Sequence, residues 1–266
     1  MKIKIAILMA ATLAFAASTQ AQGNVLWSDN FESYANTAAL SGPYTQLYPS
    51  FPVLLDTTKG YQSAQSIHFD LPAANSQRRM WINIPGGPVT PTDQAPLKLE
   101  FWTDLDTAIW STRQYIEIRS YSGGAYNAGT LNQLIALGFT SSGVNTTRIN
   151  QRVVAGFTGA AWGDLTDIYA TRTTIADPNN DWTHLAMVLK HNTVEFYVNG
   201  NLDTVQTMTA GVAFDSIVIG SGLSSAGADV WFDNIKLTHI PEPSSAVLAL
   251  LGGLGVFAWI SRRRQA

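Results

Sequence analysis

This 266-residue sequence predicts an all-β, antiparallel β-sandwich, flanked by an N-terminal signal peptide and a C-terminal single membrane helix. Three observations lead there. Short stretches alternate apolar and polar residues with period two, the pattern of a half-buried strand. Clusters of Gly, Asn, Ser and Thr separate these stretches, and eight tryptophans add to a composition suited to pleated surfaces. Two apolar runs stand outside the alternation, one towards each end.

The first run belongs to "MKIKIAILMAATLAFAASTQAQG". Lys2 and Lys4 form a short basic region, and Ile5 to Ala17 an apolar stretch too short for a stable anchor. Small residues follow, with Ala21 the preferred cleavage point and Ser18 a second candidate. Residues 1–21 therefore read as a secretory signal peptide.

The body, 22–240, shows no internal repeat and no Pro/Gly linker, and its length suits one domain. In "LKLEFWT", Leu97, Leu99 and Phe101 point one way, and Lys98, Glu100 and Trp102 the other. "YIEIRSY" sets Tyr115, Glu117 and Arg119 opposite Ile116 and Ile118. "HLAMVLK" and "TVEFYVNG" form a hairpin across His191-Asn192, with Leu185, Met187, Leu189, Val194, Phe196 and Val198 facing the core. Asn199-Gly200 suits a type I′ turn into "NLDTV". Further strands are predicted at "QSIHFDL", "RMWINI", "LIALGFT", "FDSIVIG" and "DVWFDNIKLT". The body carries no convincing helical pattern, so a sandwich of more than ten strands is expected.

The last segment, 241–266, reads "PEPSSAVLALLGGLGVFAWISRRRQA". Its apolar run, Ala246 to Ile260, covers roughly 22 Å as a helix against a ~30 Å hydrocarbon core. Ser244, Ser245 and Ser261 extend it to marginal spanning length, and Arg262, Arg263 and Arg264 would stay on the cytoplasmic side. Pro241, Glu242 and Pro243, then the apolar helix, then the arginine cluster together resemble the PEP-CTERM sorting signal. The resemblance implies a Gram-negative, exopolysaccharide-producing bacterium. It also implies recognition by an exosortase, a transient inner-membrane intermediate, and cleavage near Pro-Glu-Pro.

Three stretches carry a second resemblance. "LWSDNFESY" opens the body, "WTHLAMVLKHNTVEFYVNG" lies late, and "VWFDNIKLT" closes it. The pattern is similar to the concanavalin A-like, laminin-G-like jelly roll, which implies two packed sheets and, often, carbohydrate or protein binding. A fold so widely reused does not itself assign a function.

Charge and chemistry narrow the options. Without Lys2, Lys4 and the three C-terminal arginines, 16 basic residues fall to 11 against 19 acids, leaving residues 22–243 near −8. That argues against DNA or RNA as a partner, and it disfavours acidic polymers by charge alone. The absence of cysteine fits an exported protein stabilised by a large core. Asp29, Glu32 and Asp233 lie in or near the first and last strands, where hard oxygens would hold a structural Ca²⁺. The alternative is that Asp29 and Asp233 cap turns and accept backbone N–H groups.

Carbohydrate binding draws on rings that lie flat against pyranose faces. Trp102, Tyr115, Tyr121 and Tyr197 are placed outward or on one concave sheet face, while Trp81, Trp110, Trp162 and Tyr169 lie near loops. Trp27, Trp182 and Trp231 read as core or sheet-edge residues by phase. The segment 141–181, rich in Thr, Gly and Asn, would build a variable rim.

Catalytic patterns are incomplete. Glu100 and Asp104 share a strand face about 13 Å apart, too far for a glycosidase pair. Asp104 and Asp106 are better spaced but sit where the strand ends, and the laminarinase-like Glu-x-Asp-x-x-Glu signature is missing. Arg113, Glu117, Arg119 and Tyr121 resemble part of the alginate-lyase constellation without its Gln/His strand, and His68 reads as a sheet residue. No His set has zinc-ligand spacing, and no nucleophile elbow or phosphate loop occurs.

The sequence thus points to an exported, exosortase-sorted surface or extracellular-matrix protein with a non-catalytic, carbohydrate-binding sandwich. Its partners would be extracellular polysaccharide or matrix proteins. A polysaccharide-degrading glycosidase or lyase, and a purely structural biofilm-matrix protein, are the alternatives.

Overall fold

Among the described residues of the computed structural model, fifteen strands build two packed antiparallel sheets, accompanied by one short 3-10 helix. The structure describes residues 23–71, 76–105, 113–140, 147–156, 162–166, 170–171, 182–225 and 228–240. The signal-peptide and sorting-segment assignments, with Asp106, Trp110 and Tyr169, fall outside those residues. No helix among the described residues is long and apolar enough to cross a membrane.

Sheet A contains β1 (Asn24–Asp29), β3 (Leu54–Asp56), β4 (Ser66–Leu71), β6 (Leu97–Leu105), β11 (Thr183–Leu189), β12 (Thr193–Val198), β13 (Asn201–Thr207) and β15 (Ala228–His239). Its order is β13-β12-β11-β6-β15-β4-β3, with β1 also paired to β15. Sheet B contains β2 (Thr45–Gln46), β5 (Ser76–Asn83), β7 (Gln114–Tyr121), β8 (Leu131–Phe139), β9 (Asn150–Ala155), β10 (Gly163–Asp164) and β14 (Ser216–Ser225). Its order is β10-β9-β8-β7-β14-β5-β2. The 3-10 helix, Thr37–Ser41, begins where the Asn36 side chain accepts the Ala39 amide.

The alternation read from the sequence sets the faces. Leu97, Leu99, Phe101, Leu185, Met187, Leu189, Val194, Phe196 and Val198 are fully buried between the sheets. Phe232 meets Phe69 and Phe101 edge-to-face at 5.4 and 5.6 Å in the middle of this core. At the end of β12, Asn199 and Gly200 have φ of 49° and 83°, the left-handed pair that a type I′ turn requires.

Two features depart from simple alternation. β15 carries a register break between Asp233 and Lys236, with Asn234 at φ 48°. Before the break Val230 and Phe232 face the core; after it Ile235 and Leu237 do. The bulge re-phases the strand by one residue. β7 is buried along its whole length, on both faces. Its outward Tyr115 and Tyr121 join Leu131, Leu134, Ala136 and Val154 in a second, smaller cluster packed against Tyr126 and Trp162.

Candidate functional site

The four aromatic residues picked out by the sequence do not share one face. Trp102 and Tyr197 point outward from sheet A, whereas Tyr115 and Tyr121 point outward from sheet B, on the opposite side of the sandwich. Tyr115 and Tyr121 are only 5% and 6% exposed, which corrects the expectation of open rings. Trp162 packs on Tyr115 at 4.8 Å, and Tyr126 packs edge-on to Tyr121 at 5.6 Å. Tyr197 is half-buried and donates its hydroxyl to Glu195, 2.7 Å away. Burial and that carboxylate push its phenol up to about 12.

Trp102 sits in a polar and aromatic setting. Strand pairing places it beside His184 on β11 and Asp233 on β15. The ring of Tyr61 stacks on it at 3.6 Å and 12°, and Trp182 meets Tyr61 at 6.2 Å. Next along β6 stands Glu100, which accepts Lys98 at 2.5 Å and His184 at 3.1 Å, with Lys236 at 3.7 Å. Burial alone would raise the Glu100 carboxyl, but hydrogen bonds from His184 and Lys98 and their charges hold it at about 2. Trp102, Glu100, His184 and Lys236 line one side of an open cleft of about 660 Å³. Trp27, Ser28, Asn30, Ser33, Tyr34 and Asn234 also line it. It offers indole and phenol surface together with hydroxyl, amide and ammonium groups.

The acidic trio expected to bind calcium is brought near this cleft because β1 pairs with β15, Asp29 lying opposite Ile235. Its oxygens, however, meet protein donors. Asp29 Oδ1 accepts the Phe31 amide at 2.8 Å, and Oδ2 accepts the hydroxyls of Tyr34 and Tyr44 at 2.6 and 2.7 Å. Burial, with the Asp29 carboxylate alongside, pushes both phenols well above the ordinary tyrosine range. Glu32 Oε1 accepts the amides of Ala64 and Gln65. Asp233, fully buried, accepts the Tyr61 amide at 2.7 Å, the Ser63 hydroxyl at 2.9 Å and the Asn234 amide at 2.6 Å. Burial outweighs those bonds and raises the Asp233 carboxyl to about 6. Glu32 and Asp233 thereby anchor the segment that lays Tyr61 over Trp102. Among the described residues no group of three or more His, Asp or Glu side chains is gathered as a cation set.

The outward face of sheet B is charged and aromatic. Glu117 Oε2 accepts Arg79 at 2.7 Å and Arg119 at 2.5 Å, and Arg119 also donates to the Tyr121 hydroxyl at 2.8 Å. Tyr126 stacks on Trp81 at 4.5 Å and lies 5.7 Å from the Arg119 guanidinium. On the far side Arg152 lies over Trp162 at 5.9 Å. The second arginine on Glu117 is thus Arg79 from β5, not Arg113. The alternation of "RRMWINI" does carry a signal for it, since Arg79, Trp81 and Asn83 share a phase. Tyr61 and Tyr126 lie in loops, where period-two reading offers no signal.

Trp231, predicted as core or edge, is buried on the outward side of sheet A between the His68 ring at 4.4 Å and Lys59 Nζ at 3.7 Å. Its Nε1 donates to Asp56 at 2.8 Å. Asp104, 3% exposed, pairs with Lys59 at 2.9 Å.

Comparison with known proteins adds to this geometry. The family profile described as "Concanavalin A-like lectin/glucanases superfamily" matches residues 81–235, and the PEP-CTERM protein-sorting motif matches residues 239–265. Among curated protein sequences none matches the chain. Among solved structures, a galectin-like-fold protein of unknown function from Bacillus subtilis aligns at 10% identity and TM-score 0.51, over 83% of this chain and 98% of that one. The catalytic domain of an endo-1,3-beta-glucanase (laminarinase) from Thermotoga petrophila RKU-1 aligns at 11% identity and TM-score 0.51, over 83% and 99%. A sialidase aligns at 12% identity and TM-score 0.48 over 82% of this chain, which spans only 19% of the sialidase. At these identities the likeness is one of fold.

Proposed function

Because the chain belongs to the concanavalin A-like lectin/glucanase superfamily and bears a sorting motif that implies exosortase processing and export, we propose that its sandwich is a non-catalytic carbohydrate-binding module of the cell surface or extracellular matrix. The observation that carries this reading is the open cleft of about 660 Å³ on sheet A. Trp27 and the part of the Trp102 indole that Tyr61 leaves uncovered supply apolar surface for a sugar ring, and Asn30, Ser28, Ser33, Asn234 and Lys236 supply hydrogen-bonding groups for its hydroxyls. Each contact is weak, and repetition along a polymer supplies the avidity. Glu100 is in contact with Lys98, Lys236 and His184, and Asp29 is occupied by an amide and two phenols. This pairing suits a scaffold better than an acid–base couple.

The test uses the full chain, purified in mild detergent, on a glycan array with product analysis of every bound polymer. Binding without new chain ends is expected, and Trp102→Ala should weaken it by about ten-fold, roughly the worth of one stacked ring. Undiminished binding by a folded Trp102→Ala protein would show that the cleft is not the site. New reducing or unsaturated ends would make the protein an enzyme.

A further inference from the structure

The sheet A cleft holds a donor and an acceptor that face each other without bonding. Glu100 Oε2 is occupied by Lys98 at 2.5 Å and His184 at 3.1 Å. Its other oxygen, Oε1, has Lys236 Nζ at 3.7 Å, beyond hydrogen-bond distance. Neither of these two atoms bonds another described residue. Both side chains line the open cleft, and that of Lys236 is 42% exposed. The fold puts them there. Lys236 pairs with Glu100 across β15 and β6, yet alternation continued from Val230 and Phe232 would turn Lys236 towards the core. The bulge between Asp233 and Lys236 re-phases the strand, buries Ile235 and Leu237, and sets Lys236 outward beside Glu100.

The chemistry of this gap selects its ligand. An ionised carboxylate only accepts hydrogen bonds, and an ammonium only donates them. A group that fills the gap must therefore accept from Lys236 and donate to Glu100, and a hydroxyl does both. A carboxylate or sulfate is repelled by Glu100, and an amine is repelled by Lys236. Hydroxyls on adjacent carbons of a sugar ring supply the two functions at a spacing comparable to that of the gap. The formal charges around it cancel, Lys98 and Lys236 against Glu100 and Asp29. Asp29 is already held by the Phe31 amide and the Tyr34 and Tyr44 hydroxyls, so it offers no competing grip. Trp27 lines the same cleft and gives the ring apolar surface to rest on. We propose that Glu100 Oε1 and Lys236 Nζ are the specificity-determining pair of the cleft, gripping two neighbouring hydroxyls of a neutral hexose and rejecting sugars that are charged or hydroxyl-blocked. The inference rests on the carbohydrate-binding reading of the cleft and adds which sugars it takes and which two atoms choose them.

Calorimetric titration of the full chain in mild detergent tests it, with dextran, galactan and mannan as probes, each native, O-methylated and carboxymethylated. At least one native polymer should bind about ten-fold or more tightly than both of its derivatives, and raising the salt should leave that binding nearly unchanged because the ligand carries no charge. Lys236→Met should weaken it by about ten-fold, as expected for loss of one hydrogen bond from a charged donor. Lys236→Arg keeps a cationic donor and should retain more affinity than Lys236→Met. Lys190→Met removes an equal charge outside the cleft, from the pair with Glu195, and should leave binding unchanged. If Lys236→Met lowers the melting temperature, Lys236→Gln replaces it with the same expectation. Should no native polymer bind, the carbohydrate reading of the cleft falls and this inference falls with it. Should a native polymer bind and weaken in Trp102→Ala but not in the folded Lys236 variant, or should a derivative bind as tightly as its native polymer, the cleft remains a sugar site and this inference alone is overturned.

Discussion

Asp233 offers a stability test whose sign follows from its burial. Its carboxyl is fully enclosed and titrates at about 6, against an ordinary 3.8. A carboxyl raised in the folded state favours the protonated form there. The native state therefore holds its advantage below the unfolded value near 3.8 and loses it as pH rises through about 6. The full difference is about 3 kcal/mol, of which about 2 kcal/mol falls between pH 4.5 and 7.5. Asp233→Asn is neutral throughout and provides the reference, since Asp215 and the other groups titrate alike in both proteins. Urea denaturation of parent and variant at half-unit steps from pH 4.5 to 7.5 gives the difference directly. The parent should lose about 2 kcal/mol relative to Asp233→Asn across that window. Tryptophan fluorescence should change over the same interval, because Asp233 holds the Tyr61 amide and Tyr61 covers Trp102. A difference that stays flat to within about 0.5 kcal/mol, or that grows in the opposite direction, would refute the claim that desolvation outweighs the three hydrogen bonds at this carboxylate.

Two further outcomes can be measured with the same protein. Glu100 is held at about 2 against an ordinary 4.5, so its contribution of up to about 3 kcal/mol is present above pH 4.5 and lost as pH falls towards 2. Glu100→Gln should destabilise at pH 7 and approach parity with the parent near pH 2, as read by urea midpoints; equal destabilisation at both pH values would contradict the assignment. Gly220 has φ 89°, and an added Cβ would run into the Arg78 carbonyl and the Phe69 ring. Gly220→Ala should cost at least about 2 kcal/mol and lower Tm by roughly 4 °C or more, and an unchanged Tm would show that the strand can shift there.

The relation between sequence and structure divides along the range of the interactions. Period-two alternation is a local property of the chain. It placed the faces of β6, β11 and β12 correctly, because each side chain's direction depends only on its position in the pleat. The type I′ turn at Asn199-Gly200 was equally legible, since few residues tolerate positive φ twice in succession. The same alternation misjudged Tyr115 and Tyr121. It identifies a residue as facing away from the core but does not say whether another segment lies over it, and Tyr126 and Trp162 do.

The site followed the same division. Trp102 was readable as an outward aromatic residue on β6, but its partner Tyr61 comes from a loop tied down by Asp233, 172 positions further along the chain. Arg79 reaches Glu117 only because β14, late in the sequence, inserts between β5 and β7. By itself, the sequence determined the strand faces, the turn chemistry, the acidic body and the sorting motif. Each of these is written in neighbouring residues or in a simple sum of charge. Tertiary structure alone decided which outward rings are covered and which carboxylates are occupied. Those depend on residues brought together across strands, and no local pattern encodes that distance.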